Sequence, residues 1–352
     1  MVECKTRSEL TSILHHIEGG LWKTRKRDLD IKNYTRRSTE IMKYCFGVDL
    51  GGTTVKMGVF TEHGQIIDKW EIKTRTENDG AAILPDIAAS ILEKIEKLEL
   101  IRENILGVGI GIPAPVTADG CIPGAVNLGW GPRSIKNDLE ALCGLTVAVG
   151  NDADMAALGE MWLGGGKGAK NMLMVTLGTG VGGGIIEAGK PVTGGHGGGG
   201  EIGHITVNYN ETETCGCGRT GCLEMYTSAT GIARLARRRL AKDTVLSVLR
   251  EFEVVTAKEV FDAVKAGDAV AIEIAEEFGL ILGRALANIA ATCDPAVFVI
   301  GGGVSKAGEI LLDFIKKPFK EHAYYVNVNT EFALAELGND AGICGAAKLI
   351  LG

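Results

Sequence analysis

The chain has 352 residues, of which 45% are hydrophobic and 23% charged, a composition typical of a folded protein with two domains or one large one. Its net charge of −7 argues against general binding to nucleic acid, which requires a basic surface. No apolar run is long enough to cross a bilayer, so we expect no membrane association. Nine cysteines, an odd number, indicate a reducing compartment, and the cytoplasm is the expected location.

Residues 1–41 differ in composition from the rest of the chain. Apolar side chains recur at helical spacing from Leu10 to Ile17, and a basic, polar stretch follows that offers little to bury. The composition changes directly before an apolar segment that begins at Tyr44. We therefore predict that residues 1–41 are an extension outside the fold, in which case Met42 would be the natural start.

Strand and helix patterns alternate from Tyr44 onward. Strands are indicated by short apolar runs between glycine turns, and helices by apolar residues three and four positions apart. These patterns predict strands at 44–50, 55–60, 65–72, 105–112, 145–149, 172–177, 182–187 and 296–300. They predict helices at 81–99, 134–143, 153–163, 268–292 and 341–350, another after the capping box Thr256-Ala-Lys-Glu259, and another after Ser305. Two α/β lobes are the simplest arrangement.

A strand, a glycine turn and a second strand occur twice, around Asp49–Lys56 and around Val175–Gly183. Backbone N–H groups in such turns can form a nest for anions, although the first could also be a plain hairpin turn. The second turn matches G-x-G-x-x-G, but that fingerprint must open a helix and this segment continues as a strand, so we reject a dinucleotide site. A third glycine turn, Gly301–Gly303, follows a strand's carboxyl end, where open sheets bind ligands.

Asn151 and Asp152 lie between the predicted strand at 145–149 and the predicted helix at 153–163. Asn and Asp are favoured helix N-caps, which is the simplest role for the pair. A carboxylate here could also take a proton from a sugar hydroxyl, and such general-base help is worth on the order of 10²–10⁴ in rate. Asp154 fits a charge in the first helical turn better than a second base.

The segment from Glu201 to Glu224 contains the donors of a tetrahedral metal site. The thiols of Cys215, Cys217 and Cys222 and the imidazole of His204 match a closed zinc site. Three cysteines and a water are an alternative, and small buried thiols are the ordinary role of cysteine, which we expect for the other six. Glu201 and Glu224 bracket the segment, so a metal there would fix two carboxylates as acceptors for hydroxyl groups.

These motifs, in this order, resemble those of the ROK family (repressors, uncharacterised reading frames and sugar kinases). The resemblance runs from about Tyr44 to the C-terminus and rests on Asp49-Leu-Gly-Gly-Thr, Gly111-Ile-Pro-Ala-Pro, Asn127-Leu-Gly-Trp130, Asn151-Asp152-Ala, Leu177-Gly-Thr-Gly-Val-Gly-Gly-Gly, Glu201-Ile-Gly-His204 and the segment Cys215–Glu224. It implies a two-lobed, actin-like (ribonuclease H-like) α/β kinase fold with a zinc-binding knuckle. We expect a small lobe of residues 42–155 plus 340–352, a large lobe of residues 156–339, and an active site in the cleft between them.

The resemblance also implies a role for each matching residue. Asp152 would be the catalytic base. The sugar-binding residues would be Asn127, Asn151, Asp152, Glu201, His204 and Glu224. The zinc ligands would be His204, Cys215, Cys217 and Cys222. ATP with Mg²⁺ would be held by Asp49, Gly51, Gly52, Thr53, Thr54, Lys56, Thr179, Gly180, Gly301, Gly302 and Gly303.

The implied activity is ATP-dependent phosphorylation of glucose at its 6-hydroxyl, by an enzyme that the family suggests is a homodimer. The sequence from Gly221 to Gly231 resembles the glucose-specific form of the knuckle, and N-acetylglucosamine, N-acetylmannosamine and fructose are the alternative sugars. A sugar-responsive repressor is an alternative of another class, but it requires a complete DNA-binding domain and a basic face, and residues 1–41 supply one convincing helix. One departure is Asp154, because the family often has Asn there.

Overall fold

The structure is a computed structural model that describes residues 42–352, and the predicted extension at residues 1–41 lies outside the described residues. Residues Lys43–Gly352 form one compact unit. The strands are β1 (Tyr44–Leu50), β2 (Thr54–Thr61), β3 (Ile66–Lys73), β4 (Ile105–Ile112), β5 (Cys121–Ile122), β6 (Arg133–Ser134), β7 (Val147–Asn151), β8 (Met172–Leu177), β9 (Val181–Glu187), β10 (Lys190–Pro191), β11 (Val297–Gly301) and β12 (Glu331–Leu334).

The helices are α1 (Glu77–Gly80), α2 (Ile83–Lys97), α3 (Ile135–Cys143), α4 (Asp152–Leu163), α5 (Glu224–Thr227), α6 (Ala229–Lys242), α7 (Ala257–Lys265), α8 (Ala269–Cys293), α9 (Glu309–His322) and α10 (Ala341–Leu351). Within residues 42–352, no helix is both long enough and apolar enough to span a membrane.

Two five-stranded sheets with one shared pattern form the frame of the molecule. The strand order is β3-β2-β1-β4-β7 in the first sheet and β10-β9-β8-β11-β12 in the second. In the first sheet, β1 pairs antiparallel with β2 and parallel with β4, which pairs parallel with β7. In the second, β8 pairs antiparallel with β9 and parallel with β11, which pairs parallel with β12. The repeated strand-turn-strand motif of the sequence is therefore the same element of two similar sheets, and the predicted α/β class is confirmed.

Each sheet has a hydrophobic core of its own. In the first, Phe46 and Val48 of β1 pack in one cluster with Ile87 and Ile91 of α2, whose buried residues repeat every four positions. In the second, Phe298 of β11 belongs to a cluster with α7, α8 and α9. The helical spacing of apolar residues in the sequence therefore correctly predicted which face of α2 is buried.

Helices α4 and α10 pack on each other, and their backbones are in direct contact. A methyl group at Gly345 would overlap the carbonyl oxygen of Met155, and one at Gly159 would overlap that of Ala341. On its other side α10 lies against β1 and β4. Methyl groups at Gly47 of β1 and Gly109 of β4 would overlap backbone carbonyl oxygens of α10. Glycine at these four positions lets α10 fill the space between the first sheet and α4, the helix that begins with Asp152.

Most predicted elements are present with shifts of one or two residues at their ends, and the capping box at Thr256 and Glu259 is formed. After Ser305 the chain completes a 3₁₀ turn, Gly303–Ala307, before α9 begins at Glu309. The sequence did not predict α6, because its many arginines make the apolar face hard to recognise. It also did not predict β12, a four-residue edge strand.

Candidate active site

Asn151 and Asp152 lie where β7 ends and α4 begins. The side-chain oxygen of Asn151 accepts a hydrogen bond from the N–H of Ala153 at 2.9 Å, which is the expected N-cap, and its amide donates to the carbonyl of Ala114 at 3.1 Å. Asp152 is half-buried, and one of its oxygens accepts from the same Ala153 N–H at 2.8 Å. This geometry fixes the direction of the Asp152 carboxylate and leaves its second oxygen available.

The surroundings of Asp152 raise its pKa above the ordinary range of an aspartate. Desolvation is the main cause, and the negative charges of Asp49 and Glu201 add to it. Asp49, at the end of β1, also has a raised pKa from desolvation, opposed by the ammonium of Lys56 across the strand pair. The carboxylates of Asp49 and Glu201, from two other parts of the chain, thus come close enough to Asp152 to oppose its ionisation, as is common at active sites.

Asp154 is in the first turn of α4, as expected, but its burial was not predicted. Its side chain belongs to a residue only 4% exposed, and desolvation, with the charges of Asp152 and Glu201, raises its pKa to about 7. The sequence places Asp154 two positions after Asp152 but does not show that the helix turns it inward.

The first glycine turn connects β1 to β2. The N–H of Gly51 donates to the carbonyl of Thr54 at 3.1 Å, and the hydroxyl of Thr74 donates to the carbonyl of Gly51 at 2.7 Å. Gly52 and Thr53 are exposed, and the Cβ position of Gly52 is 4.0 Å from the carbonyl oxygen of Asn127. Hydrogen bonds to Gly51 therefore fix the base of the turn, while its exposed tip lies beside Asn127, a predicted sugar-binding residue.

The second glycine turn contacts Glu224 directly. One carboxylate oxygen of Glu224 accepts from the N–H of Val181 at 2.9 Å, and a methyl group at Gly180 would overlap that oxygen. The other oxygen lies 3.6 Å from the sulfur of Cys215. Glu224 thus occupies the space between the predicted phosphate turn and the predicted metal site, a link that the sequence did not indicate.

The third glycine turn lies against the second. The Cβ position of Gly302 is 2.6 Å from the carbonyl carbon of Leu177, the last residue of β8. Gly303 borders a cavity of about 380 Å³ that is also lined by Thr256, Phe261 and Lys265 of the α7 region. The capping box at Thr256 predicted a helix start there, but no sequence signal placed α7 next to Gly303.

The four predicted metal ligands are brought together. The ligand atoms of His204, Cys215, Cys217 and Cys222 all lie within 4.8 Å of one another, and the Cys217 and Cys222 sulfurs are 3.6 Å apart. One imidazole nitrogen of His204, Nδ1, is 3.9 Å from the Cys215 sulfur, and the other, Nε2, is 4.0 Å from a carboxylate oxygen of Glu201. Three thiols and an imidazole are a donor set that suits zinc, and His204 connects this set to a predicted sugar-binding residue.

Residues 45–352 match the model of the ROK family. The chain belongs to the ROK family. A glucokinase of Halalkalibacterium halodurans is 45% identical over 88% of this chain and 95% of its own, and a glucokinase of Thermotoga maritima is 36% identical over 86% and 96%.

Solved ROK structures agree with the fold. A Streptomyces griseus ROK family glucokinase in complex with glucose and AMPPNP gives a TM-score of 0.65 at 34% identity, with 88% of this chain and 99% of that chain covered. A ROK hexokinase from Thermus thermophilus gives a TM-score of 0.71 at 30% identity, with 87% and 97% covered. The two similar sheets are therefore those of an actin-like sugar kinase fold, as the ROK resemblance implied.

Proposed function

We propose that this ROK protein transfers the γ-phosphoryl group of ATP to the 6-hydroxyl of glucose, with Asp152 as the general base. The observation that carries the proposal is the half-buried Asp152 carboxylate, fixed at the start of α4 beside Asp49 and Glu201, in a chain 45% identical to a glucokinase. A raised pKa suits a carboxylate that must accept a proton near neutral pH.

In the proposed reaction, Asp152 accepts the proton of the 6-hydroxyl as that oxygen forms its bond to the γ-phosphorus. The bond from the γ-phosphorus to the oxygen that bridges it to the β-phosphate breaks, and ADP leaves. The sugar hydroxyls would be bound by Asn127, Asn151, Glu201, His204 and Glu224. Positioning and charge neutralisation supply most of the rate enhancement in reactions of this type.

The nucleotide would extend along the three glycine turns. The exposed residues Gly52, Thr53 and Thr179 and the half-buried Gly180 suit the phosphates, because their N–H and hydroxyl groups are donors. The cavity of about 380 Å³ next to Gly303 suits the adenosine. Lys56, whose ammonium contacts the carbonyl of Asn339 at 3.5 Å, would act by its charge opposite Asp49.

Two metals fit the residues present. Asp49 offers a hard carboxylate oxygen in an acidic cluster, the kind of donor that Mg²⁺ prefers, and Mg²⁺ bound with ATP would neutralise phosphate charge. His204 and the three cysteines suit a closed zinc site, which would hold the knuckle and take no part in the proton transfer. We also propose that the small lobe consists of residues 42–155 and 340–352 and the large lobe of residues 156–339. The homodimer remains a prediction.

Phosphorylation of another hexose is the second candidate. Relatives named N-acetylgalactosamine kinase and N-acetyl-D-glucosamine kinase are 33% and 32% identical to this chain. Both sugars carry an N-acetyl group at the 2-position, where glucose has a hydroxyl, so the residue that contacts this position would distinguish glucose from them. A coupled ADP-release assay with glucose, the N-acetylhexosamines and fructose measures the preference, and we expect the highest kcat/KM with glucose.

Asp152→Asn tests the assignment of the base. We expect kcat to fall by on the order of 10²–10⁴, because the amide cannot accept the proton, while glucose binding measured by calorimetry changes only a few-fold. Asp313→Asn, which changes an exposed aspartate on α9, is the matched control and should retain the kcat of the unmodified enzyme. A kcat in Asp152→Asn equal to that of the control would remove Asp152 from its role.

A further inference from the structure

Glu211 is a buried carboxylate in the loop before the knuckle cysteines, and both of its oxygens are occupied. One accepts from the hydroxyl of Tyr226 and from the guanidinium of Arg234, each at 2.6 Å. The other accepts from the backbone N–H groups of Thr212 and Glu213 at 3.0 and 3.1 Å. The Glu211 side chain is 4% exposed, and these partners, Tyr226 first, hold its pKa far below the usual range. Glu211 is therefore ionised and fully bonded.

The partners of Glu211 lie on the other side of the knuckle in sequence. Tyr226 belongs to α5, the short helix that begins with Glu224, and Arg234 belongs to α6. Arg234 also donates to the carbonyl of Met225 at 3.3 Å and lies over the Tyr226 ring at 5.3 Å. The segment between His204 and Cys215 is thus joined to both residues that directly follow Glu224.

This group of bonds includes none of the metal donors. Glu224 itself contacts Cys215 on one side and Val181 on the other. Its position therefore depends on three attachments, the cysteine segment, Val181 and α5, and only the first passes through a metal ligand. The buried pair of Glu211 and Arg234 fixes α5 by hydrogen bonds that need no metal ion.

We propose that Glu211, Arg234 and Tyr226 form a clamp that holds Glu224 in its sugar-binding position independently of the metal. Glu211 is then a positioning residue for the hexose, and this inference rests on the proposed function. The clamp predicts that hexose binding weakens when either the metal or the clamp is removed and is lost when both are removed.

Glu211→Gln and Tyr226→Phe test the clamp in the full-length protein. Gln keeps the shape of Glu211 but loses its charge, and Phe keeps the aromatic ring and loses only the hydroxyl, so the second variant serves if the first does not fold. Glu273→Gln removes a surface ion pair with Arg239 of the same α6 and is the matched control. Calorimetry measures glucose binding before and after treatment with EDTA, and steady-state assays give kcat and KM.

We expect both clamp variants to bind glucose about tenfold more weakly with kcat within about threefold, a split that general loss of stability would not produce. After EDTA, the unmodified protein and Glu273→Gln should retain weak binding, and the clamp variants should show none. Clamp variants that match Glu273→Gln in both states would overturn the inference, and so would complete loss of binding in EDTA-treated unmodified protein.

A second measurement does not depend on the sugar. After EDTA treatment, the knuckle thiols should react with a disulfide reagent about tenfold faster in Glu211→Gln and Tyr226→Phe than in Glu273→Gln, because the clamp no longer holds the flanking segments. Equal rates would overturn the clamp. If the unmodified protein bound no hexose, the proposed function would fail, and the thiol rates alone would decide whether the clamp exists.

Discussion

At the scale of single residues, the contact of Gly180 with Glu224 joins the second glycine turn to a carboxylate. Val181 N–H donates to that carboxylate at 2.9 Å, and a Cβ atom at position 180 would overlap the same oxygen, so the Glu224 side chain would have to shift. Gly178, two positions earlier in the same turn, has nothing within 4 Å of its Cβ position. The two glycines therefore form a natural comparison.

Gly180→Ala is expected to displace Glu224 and the turn together. Because Glu224 is a proposed sugar ligand and the turn a proposed phosphate site, KM for glucose and KM for ATP should both rise by about tenfold or more. Gly178→Ala should change either value by much less. Steady-state assays that vary each substrate in turn measure the effect, and similar KM values for the two variants would contradict the described contact.

Some residues of the site could be predicted from sequence and others could not, for a physical reason. The four metal ligands fall within 19 positions, and the short, glycine-rich spacing of the three cysteines indicates that their thiols lie close together. Gly342 is different: its Cβ position is 2.7 Å from the carboxyl carbon of Asp49, although almost 300 residues separate them. Such contacts depend on the packing of α10 against β1, which a local sequence pattern cannot predict.

At the scale of elements, the first turn of α4 contains the proposed base, Asp152. A helix N-terminus stabilises negative charge, yet the charge of Asp152 and the burial of Asp154 both raise the pKa of Asp154 there. Strand and helix patterns were enough to predict α4, β7 and most of their neighbours. They could not predict α6, which packs on α5, α7 and α8, or β12, which forms by pairing with β11.

Asp154→Asn should alter stability in a pH-dependent way. Folded Asp154 keeps its proton up to a pKa of about 7, whereas the unfolded chain releases it near its ordinary value of about 3.9. Stability from this difference is fully present below about pH 4 and is lost as pH rises through 7, so an asparagine, which cannot ionise, should help most at high pH. We expect a melting temperature higher by about 3 °C or more at pH 8 and a smaller gain at pH 5.

The exposed Asp313→Asn variant is the control for this pH series. It should show the same melting temperature difference from the unmodified protein at both pH values, because its carboxylate lies in solvent. An equal gain at pH 5 and pH 8 in Asp154→Asn would mean that packing, not ionisation, distinguishes the two side chains.

At the scale of the whole molecule, the family match and the first sheet begin at nearly the same residue. The ROK model matches from residue 45, and β1 begins at Tyr44. None of the proposed catalytic, sugar-binding or metal-binding residues precedes Asp49. The family match and all proposed site residues therefore lie within residues 42–352.

A chain that starts at Met42 should consequently retain the enzyme. We expect kcat within about twofold and a melting temperature within about 2 °C of the full-length protein, because the family match begins at residue 45 and no proposed site residue precedes Asp49. Calorimetry and the coupled assay on both forms provide the test. A fall in kcat of tenfold or more would give residues 1–41 a function in catalysis.

The backbone contacts of α10 also limit which glycines could be replaced to raise the melting temperature of this protein. Fifty glycines leave the unfolded chain with great freedom, and replacing one by alanine where the fold allows it typically gains about 0.4–1 kcal/mol. Gly131 and Gly195 have open space at their Cβ positions, whereas Gly47, Gly109, Gly159 and Gly345 have backbone there. A consensus or library design would have to leave those last four untouched and seek its gains in the loops.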